Sequence, residues 1–340
     1  MAYHYQLYGL HIESNRELSL LPPIPAQQPD LIVHWTSSAA ESPDLSLEWE
    51  HLLTPELRQR RGIQLFHGRT SQGLFRKLRY LTAKGQVEFL LEPGQDKLWI
   101  IYSESDDLMD LQSYFVGPAL GCVLRWHGTI CLHASVVELE DQALAIVGRK
   151  KAGKSTTATG LAKMGASLVS DDLAVLVRSN GHIVVQPGYP QVRLWPASLE
   201  AIYPGAGVLP KVFSHRDKRY LALGQNTALA FRSSPLPLAA IYVLDPVESP
   251  LAEPYVEALS AQEKLITLVA NTFGSYVVTD ELRQQEFSAL AELSKIIPLR
   301  RIVFAHDLTK LTAQSKAIIA DFRSRAAREQ GQPMVVEECQ

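Results

Sequence analysis

Residues 143–165 read ALAIVGRKKAGKSTTATGLAKMG, and three segments follow from that one line. Ala143 to Val147 is a short unbroken apolar run, the form a buried strand takes. Gly148-Arg149-Lys150-Lys151-Ala152-Gly153-Lys154-Ser155 matches G-x-x-x-x-G-K-S, with Thr156 next. From Lys154 to Met164 there is no proline and no β-branched run beyond Thr156-Thr157, and Gly165 is a natural helix stop. Strand, glycine loop and helix together give the pattern a mechanism: loop N–H groups and the helix N-terminus hold phosphate oxygens. Lys154 would neutralise the β- and γ-phosphates, and Ser155 would offer its hydroxyl to magnesium. Gly148 to Thr156 is therefore the expected nucleotide site, with ATP and Mg2+ the expected ligands. The alternative is a solvated glycine–lysine turn that matches by chance, and both flanks argue against it.

The 340 residues suffice for two domains and a sizeable core. A hydrophobic share of 46% with 20% charged residues is that of an ordinary globular protein. A net charge of −3 supplies no general attraction to nucleic acid or anionic membrane. The opening MAYHYQLYGLHIESN lacks a basic region followed by an apolar run, so no secretory signal is expected. No stretch approaches the roughly 20 apolar residues of a membrane span. Cys122, Cys131 and Cys339 have no metal-ligand spacing and read as two core thiols and one tail thiol. The expectation is a cytoplasmic chain.

Residues 1–105 read as a β-rich domain. Tyr5 to Ile12 and Asp30 to Trp35 alternate, and Leu74 to Tyr80, Val87 to Leu91 and Leu98 to Tyr102 are further strands. Leu20 to Pro29 is a Pro-rich loop. A second domain, 106–340, opens with a helix from Leu108 to Trp126 that Gly117-Pro118 should kink. Thr129 to Leu139 is an expected strand that turns at Glu140-Asp141 into Ala143 to Val147. A two-residue hairpin there sets Leu139 opposite Gln142. Carried outward without a bulge, that register sets His133 opposite Gly148. Ala166 to Ser170 and Leu173 to Val177 are strands, the latter returning through Asn180-Gly181 as His182 to Val185. Leu238 to Leu244 is a buried strand ended by Asp245-Pro246. Ser260 to Asn271, Asp280 to Lys295 and Leu311 to Arg328 have helical spacing, and the last dozen residues read as a frayed tail.

Asp171-Asp172 ends an apolar strand sixteen and seventeen residues after Ser155. Phosphoryl transfer needs a carboxylate for the metal and a proton acceptor near the attacking hydroxyl. Strand alternation would send the two side chains apart, one toward each task. A solvated acidic turn is the plain alternative. His133, placed beside the loop by the hairpin register, could orient an aspartate or sense the γ-phosphate; alone it would read as a strand histidine. Arg193, in the Pro-bounded segment Tyr189 to Pro196, could bring a cation to the transferring group, as could Lys218 and Arg219; surface ion pairs are the alternative. Arg149, Lys150 and Lys151 exceed what a backbone cradle needs, and would meet an acidic acceptor or solvent. In the N-terminal domain Arg58, Arg60, Arg61, Arg69, Arg76, Lys77 and Arg79 crowd a stretch holding one acid, Glu56. They read as a charged strand edge that guards against aggregation, with docking of an acidic peptide as the other reading.

Leu132-His133-Ala134-Ser135, the loop from Gly148 to Ser155, and Leu168-Val169-Ser170-Asp171-Asp172 together resemble the catalytic core of bacterial HPr kinase/phosphorylase. In that family a His stands fifteen residues before the first loop glycine and the D-D pair follows the loop serine by sixteen, both matched here. The resemblance covers roughly residues 106–250. It implies an α/β fold, a P-loop nucleotide domain similar to that of phosphoenolpyruvate carboxykinase. It also implies Asp171 as base toward a serine-type hydroxyl, Asp172 and Ser155 at the magnesium, and assembly into a homo-oligomer. The Glu- and Gly-rich segment that the bifunctional enzymes use with phosphate has no counterpart here. The outline from Tyr8-Gly9-Leu10-His11-Ile12 onward looks closer to the HPr-kinase-like proteins associated with ribosomally made peptides, some of which phosphorylate a serine in a precursor peptide.

The expected function is thus an ATP- and Mg-dependent serine/threonine kinase acting on a peptide or small protein, with neither nucleic acid nor membrane as partner. Lys154 would hold phosphate and Asp171 would accept the proton. A kinase for a small molecule such as free serine, and a nucleotide-gated regulatory module without turnover, are the alternatives. N-K-x-D and L-S-G-G-Q are both absent, which argues against a GTPase and a transport ATPase.

Overall fold

The structure is a computed structural model, and it describes residues 1–340 except 39–40, 42, 44–46, 54–62, 83–84, 206, 225–226, 250 and 330–340. The expected tail, Cys339, Arg58, Arg60 and Arg61 therefore lie outside the described residues. The chain is mixed α/β, built on two large sheets.

The first sheet holds β1 (Tyr3–Leu7), β2 (Leu10–Ser14), β3 (Leu31–Thr36), β4 (Trp49–His51), β5 (Ile63–Thr70), β6 (Gly73–Thr82), β7 (Gly85–Leu91) and β8 (Lys97–Ile101). They lie in the order β1-β2-β3-β8-β7-β6-β5-β4. The alternating run Tyr5 to Ile12 is not one strand. Tyr8 and Gly9 both take positive φ, 55° and 83°, and fold it into a two-residue hairpin with Leu7 opposite Leu10. Alternation looks the same before and after a tight turn, so periodicity alone hides it. The described part of the basic run, Arg69 to Arg79, is not a sheet edge either. β5 and β6 are paired on both sides, and Lys77 is buried, its ammonium 3.9 Å from the Trp49 ring centroid.

Next come α1 (Leu108–Tyr114), a π-helical turn Phe115–Ala119 and α2 (Leu120–Trp126). Pro118 cannot donate a helical hydrogen bond, and the wider turn absorbs the defect. Leu111, Phe115 and Leu120 share one apolar cluster with Tyr5, Leu31 and Phe89 of the first sheet. Cys122 and Cys131 are buried thiols, each pushed up to about 12 by burial.

The second sheet begins with β9 (Ile130–Leu132), β10 (Ser135–Leu139) and β11 (Gln142–Gly148). After α3 (Lys154–Lys163) come β12 (Ser167–Ser170), β13 (Ala174–Ser179) and β14 (His182–Gln186). The short pair β15 (Gln191–Leu194) and β16 (Arg219–Ala222) flanks α4 (Pro196–Ile202) and forms a small sheet of its own. β17 (Leu236–Val247) and β18 (Tyr255–Ala258) precede α5 (Ala261–Ala270) and α6 (Asp280–Ile296); β19 (Leu299–Ala305) and α7 (Leu311–Glu329) complete the chain. The central order is β12-β10-β11-β17-β14-β13-β9, with β19 beside β17 and β18 beside β19. β17 runs through Asp245-Pro246 to Val247, because its pairing with β19 continues there. β11, β17 and β19 run parallel, and in such sheets ligands gather at the carboxyl ends of the strands. The loop after β11 leaves from that end.

No helix among the described residues is long and apolar enough to cross a membrane.

Candidate active site

The loop from Gly148 to Gly153 is held by backbone conformation. Gly148, Lys151 and Gly153 all take positive φ, at 151°, 69° and 97°. A side chain on Gly148 would press on Leu244 at 3.1–3.2 Å, so glycine there serves both the turn and the packing. α3 then starts at Lys154, with free N–H groups at its mouth. Lys154 is buried, and its ammonium donates to the Gly148 carbonyl at 3.0 Å. Burial lowers its pKa, opposed by Asp172 and Asp171. α3 is fixed from behind: Gly160 leaves room for Leu311 and Ser315 of α7, and Gln314 donates to Thr157 at 3.0 Å. The Thr156 hydroxyl is engaged with Ser198 at 2.9 Å. Arg149, Lys150 and Lys151 are exposed.

The hairpin β10–β11 has the expected register, from Leu139 opposite Gln142 out to Ser135 opposite Ile146. It does not extend to His133 and Gly148. The chain breaks between β9 and β10, β9 turning to pair with β13. Asn271, the residue that caps α5, fills the gap. Its side-chain oxygen accepts the Gly148 N–H at 3.0 Å, and its backbone carbonyl accepts the His133 N–H at 2.7 Å. His133 is therefore near the loop through Asn271, not through a strand ladder.

The two aspartates part as alternation requires. Asp171 is 5% exposed. It accepts the Ser135 hydroxyl at 2.6 Å on one oxygen and the Arg193 backbone N–H at 2.9 Å on the other. Its geometry ties β10 to β15 and turns it away from solvent. Asp172 has φ of 70°, a left-handed conformation uncommon for a non-glycine residue and concentrated at functional sites. Its carboxylate takes the Arg193 guanidinium at 2.9 Å. Burial would raise its pKa, but Arg193 first, then Lys218, His133 and Lys154, hold it far below the ordinary carboxylate range.

His133 Nδ1 lies 2.9 Å from the Asp172 carbonyl oxygen. A carbonyl only accepts, so Nδ1 carries the proton and Nε2 of the neutral ring keeps its lone pair. Burial lowers the imidazole pKa, with Asp172 opposing. Arg193 is 6% exposed and donates to the Tyr189 hydroxyl at 3.1 and 2.5 Å as well as to Asp172. Lys218 stands 6.0 Å from the Trp195 ring centroid, and Arg219 donates to the Leu209 carbonyl at 3.0 Å.

His133, Asp172 and Arg193 line one end of a cavity of about 340 Å³. Its walls come from Tyr80 of the first sheet, Tyr114 and Pro118 of the helical segment, Phe213, and Phe273. Asn271, Tyr189 and these aromatic walls were not among the expected site residues. Asn271 announced only a helix end, and nothing local marks an aromatic that meets the site across the fold.

Among the described residues no group of three or more His, Cys, Asp or Glu could hold a metal. Magnesium bound with a nucleotide needs only one or two protein oxygens beside phosphate and water. The Ser155 hydroxyl and the Asp172 carboxylate are hard oxygen donors of that kind.

No protein-family model and no curated protein matches the chain. Among solved structures, the Hpr(Ser) kinase/phosphatase from Coxiella burnetii aligns over 59% of this chain and 95% of its own, at 12% identity and a TM-score of 0.36. At that TM-score the likeness assigns neither fold nor activity to this chain.

Proposed function

We propose that the chain is a P-loop phosphotransferase that moves the γ-phosphoryl group of ATP onto a hydroxyl in the presence of magnesium. One observation carries the reading. Asp172 and His133 line a cavity, are joined to each other at 2.9 Å, and are tied through Asn271 to Gly148, the first residue of the loop. A phosphate-holding end and an acceptor end thus meet at two residues.

In this reading the loop amides and Lys154 hold the β- and γ-phosphates. Ser155 and Asp172 would hold magnesium, which neutralises phosphate charge when bound. The acceptor's oxygen forms the new P–O bond as the bond from γ-phosphorus to the bridging oxygen breaks, leaving ADP with the electron pair. The acceptor's proton goes to His133 Nε2. Asp171 suits that task less well than the sequence implied, because both its oxygens already accept structural donors. A neutral imidazole with a free lone pair is likewise a better base than Asp172, whose carboxylate is ion-paired with Arg193 and held strongly ionised. Asp171 then positions Arg193, whose guanidinium fixes Asp172.

The acceptor hydroxyl could sit on a serine or threonine of a peptide or small protein, or on a small molecule; the cavity's small volume, about 340 Å³, favours the second. The decisive experiment is transfer from γ-labelled ATP with magnesium, resolved by intact mass over peptides, HPr, free serine and small hydroxy compounds. Transfer to any of them that Lys154→Met abolishes supports the reading. Tight ATP binding with no transfer to any set would make the chain a nucleotide-gated module instead.

A further inference from the structure

The cavity has two chemically different ends. His133, Asp172 and Arg193 stand at the deep end, where Arg193 is neutralised by Asp172. His215 and Arg216 stand at the outer end, both exposed. Arg216 takes part in none of the ion pairs among the described residues, and its guanidinium lies 5.4 Å from the Phe213 ring centroid. The outer end therefore carries a cation held in none of those ion pairs, with the Asp110 carboxylate engaged nearby by Ser214.

A run of aromatic rings lines the cavity and leads to the outer end. Tyr80 and Tyr114 have ring centroids 4.7 Å apart, Tyr114 and Phe213 again 4.7 Å, and Phe213 and His215 5.6 Å. Phe273 and Pro118 also line the space. Such a wall desolvates a flat apolar body and offers it little hydrogen bonding. A volume of about 340 Å³ falls at the small end of small-molecule sites and is too little for several residues of extended peptide.

Resting on the phosphotransferase reading above, we infer that this cavity is the acceptor site and that its acceptor is a small aromatic hydroxy acid. The ring lies against Tyr114 and Phe213. Its hydroxyl points to His133 Nε2 at the deep end, and its carboxylate meets Arg216 at the outer end. The products are the phosphate monoester and ADP, with the hydroxyl proton on His133. Free serine does not meet these demands, because its hydroxyl and carboxylate are not held apart by an apolar body.

The test uses the full chain with MgATP and 4-(hydroxymethyl)benzoate, whose hydroxyl and carboxylate lie at opposite ends of a ring. 4-(Hydroxymethyl)benzamide, free serine and a serine peptide are the comparisons. The expected result is a phosphorylated benzoate with kcat/KM about tenfold above the benzamide, the worth of one charge-assisted contact. In Arg216→Gln that ratio should fall to near one, and Phe213→Ala should raise KM for both ring compounds. Two results overturn the inference while sparing the phosphotransferase reading. One is transfer to serine or peptide in preference to the benzoate, unchanged in both variants. The other is transfer to a different acceptor with the benzoate neither phosphorylated nor inhibitory. If MgATP does not bind and nothing is phosphorylated, the underlying reading fails and the inference fails with it.

Discussion

The phosphate loop and the cavity both come close to the His133–Asp172 pair, and they are made in opposite ways. The loop is one run of consecutive residues, with its strand before it and its helix after it. The cavity is assembled from segments as far apart as Ile63 and Tyr276, and the first sheet supplies part of its wall. A backbone cradle needs only local chain geometry, so it can be written in nine letters. A shaped pocket needs side chains that meet only when the whole chain has folded. Each region can be damaged separately, and the size of the damage tests whether they do separate jobs.

The largest effect should come from the loop. Lys154→Met removes the cation that the reading sets against the β- and γ-phosphates. Phosphoryl transfer should fall by about 10³-fold, as when a preorganised electrostatic donor is lost. Stability should change little, since Lys154 hydrogen-bonds only to loop carbonyls. Steady-state rates beside a thermal melt would separate the two. A variant at the parent rate would remove the loop from the mechanism.

His133→Asn strikes the junction of the two regions. The amide keeps an N–H for the Asp172 carbonyl and loses the Nε2 lone pair. We expect kcat to drop about 10²-fold, with ATP affinity unchanged. The pH profile is more telling. A base works when unprotonated, so the rate rises with pH through the His133 pKa. Burial lowers that pKa beneath the ordinary 6.5, so the parent rate should be level from neutral pH upward and fall only on the acid side. In His133→Asn that acid limb should vanish. An unchanged limb would assign the proton to another group.

Asp171→Ala should register first as lost stability. It leaves the Ser135 hydroxyl and the Arg193 N–H buried without their acceptor, a cost of about 2–3 kcal/mol. A lower urea midpoint with an unchanged slope would show it. An Asp171→Asn protein that melts like the parent yet transfers no phosphoryl group would restore Asp171 as the base.

These residues show where the sequence could be read and where it could not. The hairpin from Ser135 to Ile146 follows from a two-residue turn and has the register that turn dictates. The same reasoning fails two residues further out, because β9 finds a better partner in β13 and Asn271 takes its place. Choosing between Asp171 and Asp172 required knowing where Ser135 and Arg193 lie, which no spacing encodes. β19 went unread because Arg300 and Arg301 interrupt its apolar pattern. Both are paired in the fold, Arg300 with Asp321 and Arg301 with Glu257 and Glu263. Lys77 shows the same thing in the first sheet: a charge signals solvent until an aromatic ring and an acid cover it.

Asn271 gives the smallest effect and the sharpest division. Its side chain serves the loop through the Gly148 N–H, whereas its backbone carbonyl serves the cavity through His133. Asn271→Ala removes the first contact and leaves the second, since the carbonyl is not altered. Losing one such hydrogen bond is worth about 1–1.5 kcal/mol, so ATP should bind roughly tenfold more weakly. The acceptor's KM and the acid limb of the pH profile should stay where they are. If acceptor KM and pH profile move together with ATP affinity, Asn271 couples the two regions as a rigid strut. The loop and the cavity would then be one site in function, although the chain builds them separately.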